Sequence, residues 1–419
     1  MYQKLKGTKD IFGKEADIYT FITSTFFDIA KKYNFKYIET PIIDSTELFI
    51  RSAGETSDIA NKEMYSFLSK SKKNISLRPE GTAPVIRAFV ENNLHREGFN
   101  KLFYYGNMYR YERPQKGRYR EFRQGGIECF SPASSDVDFE VIELGYRFLN
   151  KLQINNFILE INNLGTKDTR ENYLTDLKKY FEQHKEKLTE QNLIRLEKNV
   201  LRILDDKEQA NEEFILNCPK ITDFLSDEES NQYKQLLNKL EKNNIPYKIN
   251  PMLVRGLDYY NNIVFEFVSN SKALGAKSTI LAGGRYDGMV QQFGGEDVSS
   301  IGFAFGAERL VEIINCENNY IPNNELEILI AYLNDNEKDS VIKLASVLRD
   351  HFSVELFYEE LNIKKLFKKA NKLNPRVLIF KELDSENTEF KIKFLKQNKE
   401  ITLNAQDIDE FISEIKKEL

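Results

Sequence analysis

The sequence has few of the residues that form disulfide frameworks, metal centres and membrane spans. Of its 419 residues, three are cysteines and three are histidines, and both types are scattered along the chain. An odd number of separated cysteines argues against a disulfide framework and a CxxC metal site, and no ligand spacing joins the histidines. The segment MYQKLKGTKDIF lacks the pattern of a secretory signal, and no run of about 18 apolar residues is present. We therefore expect a cytoplasmic protein with no membrane partner and no protein-bound metal.

Two common nucleotide-binding signatures are also missing. The sequence has no GxxxxGK[ST] phosphate loop and no GxGxxG after a strand, and the glycine-rich segment 281–295 fits neither pattern. The net charge of −5 gives no overall attraction to nucleic acid. Residues 361–400 differ, because eleven lysines and arginines stand there against five acidic residues. This segment is compatible with phosphate contacts, but charge alone favours a lysine-rich surface.

Hydrophobic patterning divides the chain into three parts, in agreement with the two or three domains that its length predicts. Residues 1–165 and 245–316 carry amphipathic helices and strand signals. Residues 166–244 are densely charged with helical periodicity, which predicts a helical insertion. After an asparagine-rich linker at 315–325, residues 325–419 alternate strands with helices, which predicts a small α/β domain with a mixed sheet.

An arginine-rich hairpin is the most informative stretch. The sequence YRYERPQKGRYREFRQGGIECF, residues 109–130, joins two predicted strands. Because side chains alternate along a strand, its even-numbered positions should share a face that offers phosphate-binding, stacking and carboxylate groups. These positions are Arg110, Glu112, Phe122, Gln124 and Glu128, and the turn adds Arg113, Lys116 and Arg118. An exposed hairpin with cross-strand ion pairs explains the pattern equally well, because polar and apolar residues mix on both faces.

The strand SIGFAFGAERL at residues 300–310 is a second candidate site element. One face carries only Gly302, Ala304 and Gly306, and small residues allow a ligand to approach the backbone. The phenylalanines between them can pack inward. Arg309 follows at the expected start of a helix, where its guanidinium can meet a phosphate. The alternative is a glycine strand that relieves tight packing and is followed by a solvated first helical turn.

In chain order, these elements resemble the three motifs of the class II aminoacyl-tRNA synthetases. The first motif is NFKYIETPII with Pro41, the second is the hairpin with its Arg-x-Glu and Arg-x-x-x-Phe pairs, and the third is GFAFGAERL. The HIGH and KMSKS signatures of the other synthetase class are absent. The resemblance therefore points to one class of nucleotide-binding ligase.

Two further segments are similar to the signature motifs of the histidyl-tRNA synthetases, in their bacterial form. They are LVRGLDYYNNIVFEF at 253–267 and AGGRYDG at 282–288. KGTKDIF, RSAGETSDIANKEMYSF and RPEGTAPVIRAFVEN agree with the same family. The sequence departs from the family at Gly13 and Ser131, both of which lie beside the implied ligand contacts. In KKANKLNPRVLIF, Asn-Pro replaces the commoner Gly-Ala, so the resemblance assigns no individual anticodon contacts.

The resemblance implies a fold and a reaction. A family member has an α+β catalytic domain built on an antiparallel sheet, here 1–165 and 245–316, a helical insertion, here 166–244, and an anticodon-binding α/β domain with a mixed sheet, here 325–419. It activates L-histidine with ATP, releases pyrophosphate, and transfers histidine to the 3' end of tRNA(His). ATP is a substrate accompanied by Mg²⁺, and no tightly bound cofactor is implied. The enzyme is a cytoplasmic homodimer, whose interface the first motif builds.

The resemblance also implies roles for individual residues. The catalytic residues are Arg110, Arg255 and Gln124. The histidine-binding residues are Glu80, Gly81, Thr82, Arg110, Gln124, Glu128, Arg255, Tyr259 and Tyr260. The ATP-binding residues are Arg110, Glu112, Arg118, Phe122 and Arg309. The residues at the tRNA acceptor end are Arg113, Gln115 and Lys116.

Three alternatives compete with this interpretation. The strongest is a non-catalytic, synthetase-like regulatory subunit of a histidine-biosynthetic transferase, which usually lacks the C-terminal domain and some ATP-contacting arginines. Another class II synthetase conflicts with VRGLDYY. A general binder of single-stranded nucleic acid needs stacking aromatics in a basic groove and leaves the glycine strand unexplained.

Overall fold

The computed structural model describes residues 2–54, 57, 59–204, 206, 208–209, 211–255, 257, 259–275, 278–317, 326–381 and 388–418. The chain forms two compact units, Met1–Pro322 and Asn323–Leu419. The predicted linker at 315–325 lies outside the described residues from position 318 onward. Its first three residues do not form a linker, because they continue a helix that ends at Glu317. None of the helices in the described ranges has the length and apolar content that a membrane crossing requires.

The first unit contains strands of two to ten residues. In chain order they are β1 (Lys36–Tyr37), β2 (Ile43–Ser45), β3 (Ser66–Leu68), β4 (Asn74–Leu77), β5 (Lys101–Tyr109), β6 (Glu121–Phe130), β7 (Phe157–Asn163), β8 (Tyr247–Ile249), β9 (Asn261–Ser269), β10 (Ser278–Arg285) and β11 (Ser300–Gly306). Its α-helices are α1 (Lys14–Lys32), α2 (Thr46–Ala53), α3 (Thr82–Glu91), α4 (Ser135–Lys151), α5 (Lys167–Gln183), α6 (Glu190–Lys198), α7 (Glu213–Leu216), α8 (Asp227–Lys242), α9 (Met289–Gln292) and α10 (Ala307–Glu317).

One large sheet organises the first unit. Its strand order is β1-β5-β6-β11-β10-β9-β7-β8, with antiparallel pairing throughout except at the two edges, where β1 with β5 and β7 with β8 are parallel. A smaller antiparallel sheet has the order β2-β4-β3. The predicted α+β domain on an antiparallel sheet is thus confirmed.

Apolar periodicity explains how α1 is attached to this sheet. Ile18, Ile22, Phe26 and Ile29 recur every three or four residues, and all are buried. The Phe26 ring packs edge-on against Phe305 of β11, with ring centres 4.9 Å apart. The alternation predicted for β11 is confirmed, since its phenylalanines enter this core and leave its small residues on the opposite face.

The predicted helical insertion is only partly separate from the rest of the unit. Helices α5 to α7 share an apolar cluster of their own, which also includes Leu253 and Tyr260 beyond the insertion. Helix α8 instead buries Tyr233, Leu236 and Leu240 in the core beneath the large sheet. Periodicity predicted these helices but did not reveal that the last of them belongs to the sheet core.

The second unit is a mixed sheet with helices. Its strands are β12 (Ile328–Ile330), β13 (Val354–Leu356), β14 (Val377–Phe380), β15 (Glu389–Phe394) and β16 (Lys399–Asn404), and its helices are α11 (Lys338–Leu348), α12 (Ile363–Leu373) and α13 (Ile408–Glu418). Strand β12 is parallel to β13 and β14, whereas β14, β15 and β16 are antiparallel. The predicted mixed α/β domain is confirmed.

Candidate active site

A cavity of about 440 Å³ opens where the β5–β6 hairpin, the segment before β9, and strands β10 and β11 meet. Five arginines from different parts of the chain line it. They are Arg110, Arg118, Arg202, Arg255 and Arg309. Because guanidinium groups bind phosphate in planar, bidentate geometry, their convergence creates a site for a polyanion.

The burial of Arg309 and the charges around it favour the binding of an anion. Its guanidinium donates to the backbone carbonyl of Thr279. Burial, and next the positive charge of Arg118, lower the pKa of Arg309 to about 10. The hairpin turn packs closely against this arginine, since a Cβ on Gly117, whose φ is +70°, would lie only 3.2 Å from Arg309 Cγ. A bound anion would relieve the repulsion between the two arginines.

The hairpin residues hold one another in place around the cavity. Arg110 Nε donates to the carbonyl of Pro79 at 2.8 Å, and its guanidinium lies 5.3 Å from the ring centre of Phe122. The Glu112 carboxylate is 3.4 Å from Arg118 Nη1 and 3.9 Å from Arg110 Nη1. Arg110, Glu112, Arg118, Phe122 and Gln124 all line this cavity. Strand parity accounts only for Phe122 and Gln124 on β6, because β5 ends at Tyr109, before Arg110 and Glu112.

The residues assigned to the tRNA acceptor end lie elsewhere, on the exposed hairpin turn. Arg113, Gln115 and Lys116 are exposed and are not among the cavity-lining residues. Gln115 and Arg118 exchange backbone hydrogen bonds of 3.1 and 2.9 Å, which close the turn. Lys116 Nζ is 3.5 Å from the carboxylate of Glu312 on α10.

At the other end of the cavity, polar groups are buried and already partly paired. Gln124 Oε1 accepts from the Gly81 amide at 2.8 Å. Glu80 accepts from the Ala83 amide and from Tyr259 Oη, both at 3.3 Å. Burial raises the pKa of Glu80, although the charge of Arg110 opposes the rise. Thr82, Tyr259 and Tyr260 line the same end.

Glu128 lies beneath this end and does not line the cavity itself. Its side chain is buried, Tyr286 Oη donates to Oε2, and Oε1 has no hydrogen-bond partner in the described part of the chain. A Cβ on Gly302 would lie 2.2 Å from Oε2, so only glycine permits this approach. Burial raises the pKa of Glu128 from 4.5 to about 8, because the hydrogen bond from Tyr286 compensates only in part.

The raised pKa of Glu128 predicts a pH dependence of stability. A carboxyl group with a higher pKa in the folded protein binds its proton more tightly there than in the unfolded chain. Its stabilising contribution is therefore complete below pH 4.5 and is lost as the pH rises through about 8. Between about pH 5 and pH 9, we expect the free energy of unfolding to fall more steeply in the wild type than in Glu128→Gln. Chemical denaturation of the ligand-free proteins measures this difference, and parallel curves would contradict it.

Arg255 is held by a carboxylate on the neighbouring strand. Its Nη1 pairs with Oε1 of Glu266 on β9, and Oε2 of the same carboxylate accepts from Thr279 Oγ1 at 2.6 Å. Arg255 Nε is buried and lacks a hydrogen-bond partner among the described residues. The Tyr260 ring centre lies 5.4 Å from the guanidinium carbon. Two residues of this motif, Gly256 and Asp258, lie outside the described residues.

One alternative for the third motif is wrong, because its helical turn is not solvated. Glu308 is buried and accepts from the Arg123 amide at 2.8 Å and from Tyr19 Oη at 3.3 Å. Burial raises the pKa of Glu308 to about 7. Helix α10 therefore begins with one residue anchored in the hairpin and with Arg309 at the cavity.

Sequence reasoning missed three residues that shape the site. Glu266 was detectable, because it interrupts the apolar run NIVFEFV at the parity opposite to its phenylalanines. Tyr286 stands in the quoted segment AGGRYDG, but nothing in the sequence indicated its contact with Glu128. Arg202 lines the cavity from the insertion, and periodicity gives no signal for such a long-range approach. In the described residues, no three His, Cys, Asp or Glu side chains cluster as metal ligands do.

Comparisons with known proteins agree on one family. Residues 7–310 match the sequence profile of a family described as histidyl-tRNA synthetase. A histidine–tRNA ligase of Mycoplasmopsis pulmonis is 42% identical over 418 residues, covering 99% of each chain. That of Mycoplasma mobile is 50% identical over 314 residues, covering 75% of this chain and 71% of the relative. The crystal structure of apo S. aureus histidyl-tRNA synthetase has a TM-score of 0.83 at 30% identity, covering 98% of this chain and 100% of that one.

Proposed function

We infer the reaction from descent, because the chain belongs to the histidyl-tRNA synthetase family. It is a histidine–tRNA ligase with the class II synthetase fold, and this activity implies ATP, histidine and tRNA(His) as substrates. The convergence of Arg110, Arg255 and Arg309 on one cavity is the observation that supports the residue roles proposed below.

In the first step, we propose that the cavity aligns two negatively charged groups. A carboxylate oxygen of histidine attacks the α-phosphorus of ATP, the bond to the β-phosphate breaks, and pyrophosphate leaves. Arg110 and Arg255 would hold the α-phosphate and the histidine carboxylate, and Gln124 would orient the amino acid. No residue needs to act as a nucleophile, since alignment and neutralisation of charge lower the barrier.

The other ATP contacts follow from the positions of the hairpin residues. Phe122 would stack on adenine. Glu112 would accept a hydrogen bond from the exocyclic amine of adenine, once its ion pair with Arg118 has broken. Arg118 and Arg309 would then bind the outer phosphates. Mg²⁺ would accompany these phosphates, whose oxygens are the kind of ligand that it prefers.

The buried polar end would recognise histidine. Glu80, Gly81 and Thr82 would meet its amino group, while Glu128, Tyr259 and Tyr260 would bind and enclose the imidazole. Oε1 of Glu128 supports this role, because a buried oxygen without a partner in the described residues is costly until a donor arrives. An imidazole N–H is such a donor.

In the second step, the terminal ribose hydroxyl of the tRNA takes the histidyl group and AMP leaves. We propose that the exposed turn with Arg113, Gln115 and Lys116 meets the acceptor end. The catalytic domain would comprise 1–165 and 245–316, the insertion 166–244, and the anticodon-binding domain 325–419. In the last of these, α12 exposes a basic face suited to phosphates, formed by Lys364, Lys365, Lys368 and Lys372.

We further propose a homodimer in the cytoplasm. The first motif and the small sheet expose several large apolar side chains. They are Tyr37, Ile42, Ile43, Phe67 and Leu68. An exposed apolar patch of this kind supports an interface between two copies of the chain.

Amino-acid-dependent ATP–pyrophosphate exchange tests the proposed function. We expect exchange with histidine and none above background with the other amino acids, followed by histidylation of tRNA(His). A regulatory subunit would bind histidine without exchange. Exchange with a different amino acid, or none with histidine, would contradict the assignment.

A further inference from the structure

The insertion makes a direct hydrogen bond to the histidine-binding end of the cavity. Arg170 on α5 donates through Nη1 to the backbone carbonyl of Tyr260 at 2.9 Å. Tyr260 is buried, lines the cavity, and has the Arg255 guanidinium near its ring. A charged donor on a carbonyl forms a stronger hydrogen bond than a neutral one does. This hydrogen bond from the insertion therefore holds the backbone of Tyr260 in position.

The start of α5, which carries Arg170, is itself held in place by hydrogen bonds. Glu229 on α8 accepts from the amide of Thr166 at 2.6 Å, from Thr169 Oγ1 at 2.8 Å, and from the amide of Ser226 at 2.7 Å. Burial alone would raise the pKa of Glu229, but the hydrogen bonds from the Thr166 and Ser226 amides outweigh it and lower the pKa to about 2. The start of α5 is thus tied to α8 one turn before Arg170.

Apolar packing also joins the insertion to Tyr260. Tyr260 belongs to the apolar cluster that Val200 and Leu201 form within the insertion. Just before the insertion, the Leu164 amide donates to the Asn262 carbonyl at 2.7 Å, which holds the start of the insertion close to Tyr260. Movement of the insertion would therefore also shift Tyr260.

We propose that Arg170 is a positioning residue for histidine activation. By holding the Tyr260 carbonyl, it keeps the Tyr260 side chain where it meets histidine, so the insertion contributes to the first step of the reaction, before any tRNA binds. This inference rests on the proposed role of Tyr260. It assigns to the insertion an effect on amino-acid affinity that an accessory tRNA-binding element would not have.

Arg170→Ala tests the proposal in ATP–pyrophosphate exchange without tRNA. Loss of a hydrogen bond to a charged group predicts a rise of about 10-fold in KM for histidine, with KM for ATP and kcat changed by less than about 3-fold. Arg170→Lys should restore most of the affinity, because its ammonium can donate to the same carbonyl. The matched control is Lys179→Ala, which removes an exposed cation from the same helix.

A double-mutant cycle separates positioning from a general loss of structure. If Arg170 acts through Tyr260, its removal should change KM for histidine by less than about 2-fold in a Tyr260→Phe background. An equal loss in both backgrounds, or wild-type KM in Arg170→Ala, would overturn the proposal. A lower melting temperature with KM raised equally for both substrates would also overturn it. Failure of the wild type to exchange with histidine would instead refute the proposed function.

Discussion

Replacing Arg255 with alanine is expected to reduce histidine-dependent ATP–pyrophosphate exchange by about 10²–10³. Arg255 is held at the cavity by Glu266, so its charge is already in place when the α-phosphate arrives. Removal of one preorganised donor leaves the charge that develops on the phosphate uncompensated. Steady-state exchange at saturating ATP and histidine measures the loss in kcat.

Two control variants make this result interpretable. Arg96→Ala removes an arginine that is paired with Glu296 on the surface, and it should retain wild-type exchange. Arg255→Ala combined with Glu266→Gln tests whether the loss arises from the missing cation or from a carboxylate left unpaired. Near-normal exchange by a folded Arg255→Ala variant would refute its role at the α-phosphate.

Above about pH 8, where the Glu128 carboxyl group is ionised, Glu128→Gln is expected to lower kcat/KM for histidine by about 10², because a hydrogen bond to a charged group contributes roughly 1.5–3 kcal/mol. Glu128 is buried beneath the histidine end, and its Oε1 has no partner among the described residues. In the variant, an amide replaces the carboxylate while the shape of the side chain is preserved. KM for ATP should change little, since no ATP contact involves this residue.

The same variant should also lose selectivity for the imidazole ring. A site built to hydrogen-bond its ligand can reject analogues that lack those groups by about 10⁴–10⁵. Competition between histidine and ring analogues without a donor nitrogen measures this ratio. The surface variant Glu296→Gln, of the same chemistry, should keep both affinity and selectivity. Unchanged selectivity in Glu128→Gln would exclude this carboxylate as the imidazole partner.

Local periodicity predicted those parts of the fold that depend on one or two strands. The parity of β6 placed Phe122 and Gln124 on one face, and both line the cavity. The small residues of β11 predicted an open face, and Phe303 and Phe305 are buried on the other. In these cases the alternation of side chains is a property of the strand itself, so it can be found in one sequence.

Local periodicity could not predict the contacts between distant segments. Arg255 and Glu266 are paired because the chain returns along β9, and the sequence indicates neither the turn nor the distance. Helix α8 has the polar composition of a solvated helix, yet Leu236 and Leu240 complete the core under the sheet. The contact of Arg170 with Tyr260 joins the insertion to the cavity across ninety residues. Tertiary packing decides each of these cases.

A crystal structure with ATP and histidinol tests the central claim most directly, because histidinol lacks the carboxylate and cannot react. We expect the triphosphate in the cavity, with the α-phosphate within hydrogen-bond distance of Arg110 and Arg255 and the outer phosphates bound by Arg118 and Arg309. The imidazole should lie against Glu128. A nucleotide bound elsewhere, or one whose phosphates point away from these guanidinium groups, would contradict the proposed mechanism.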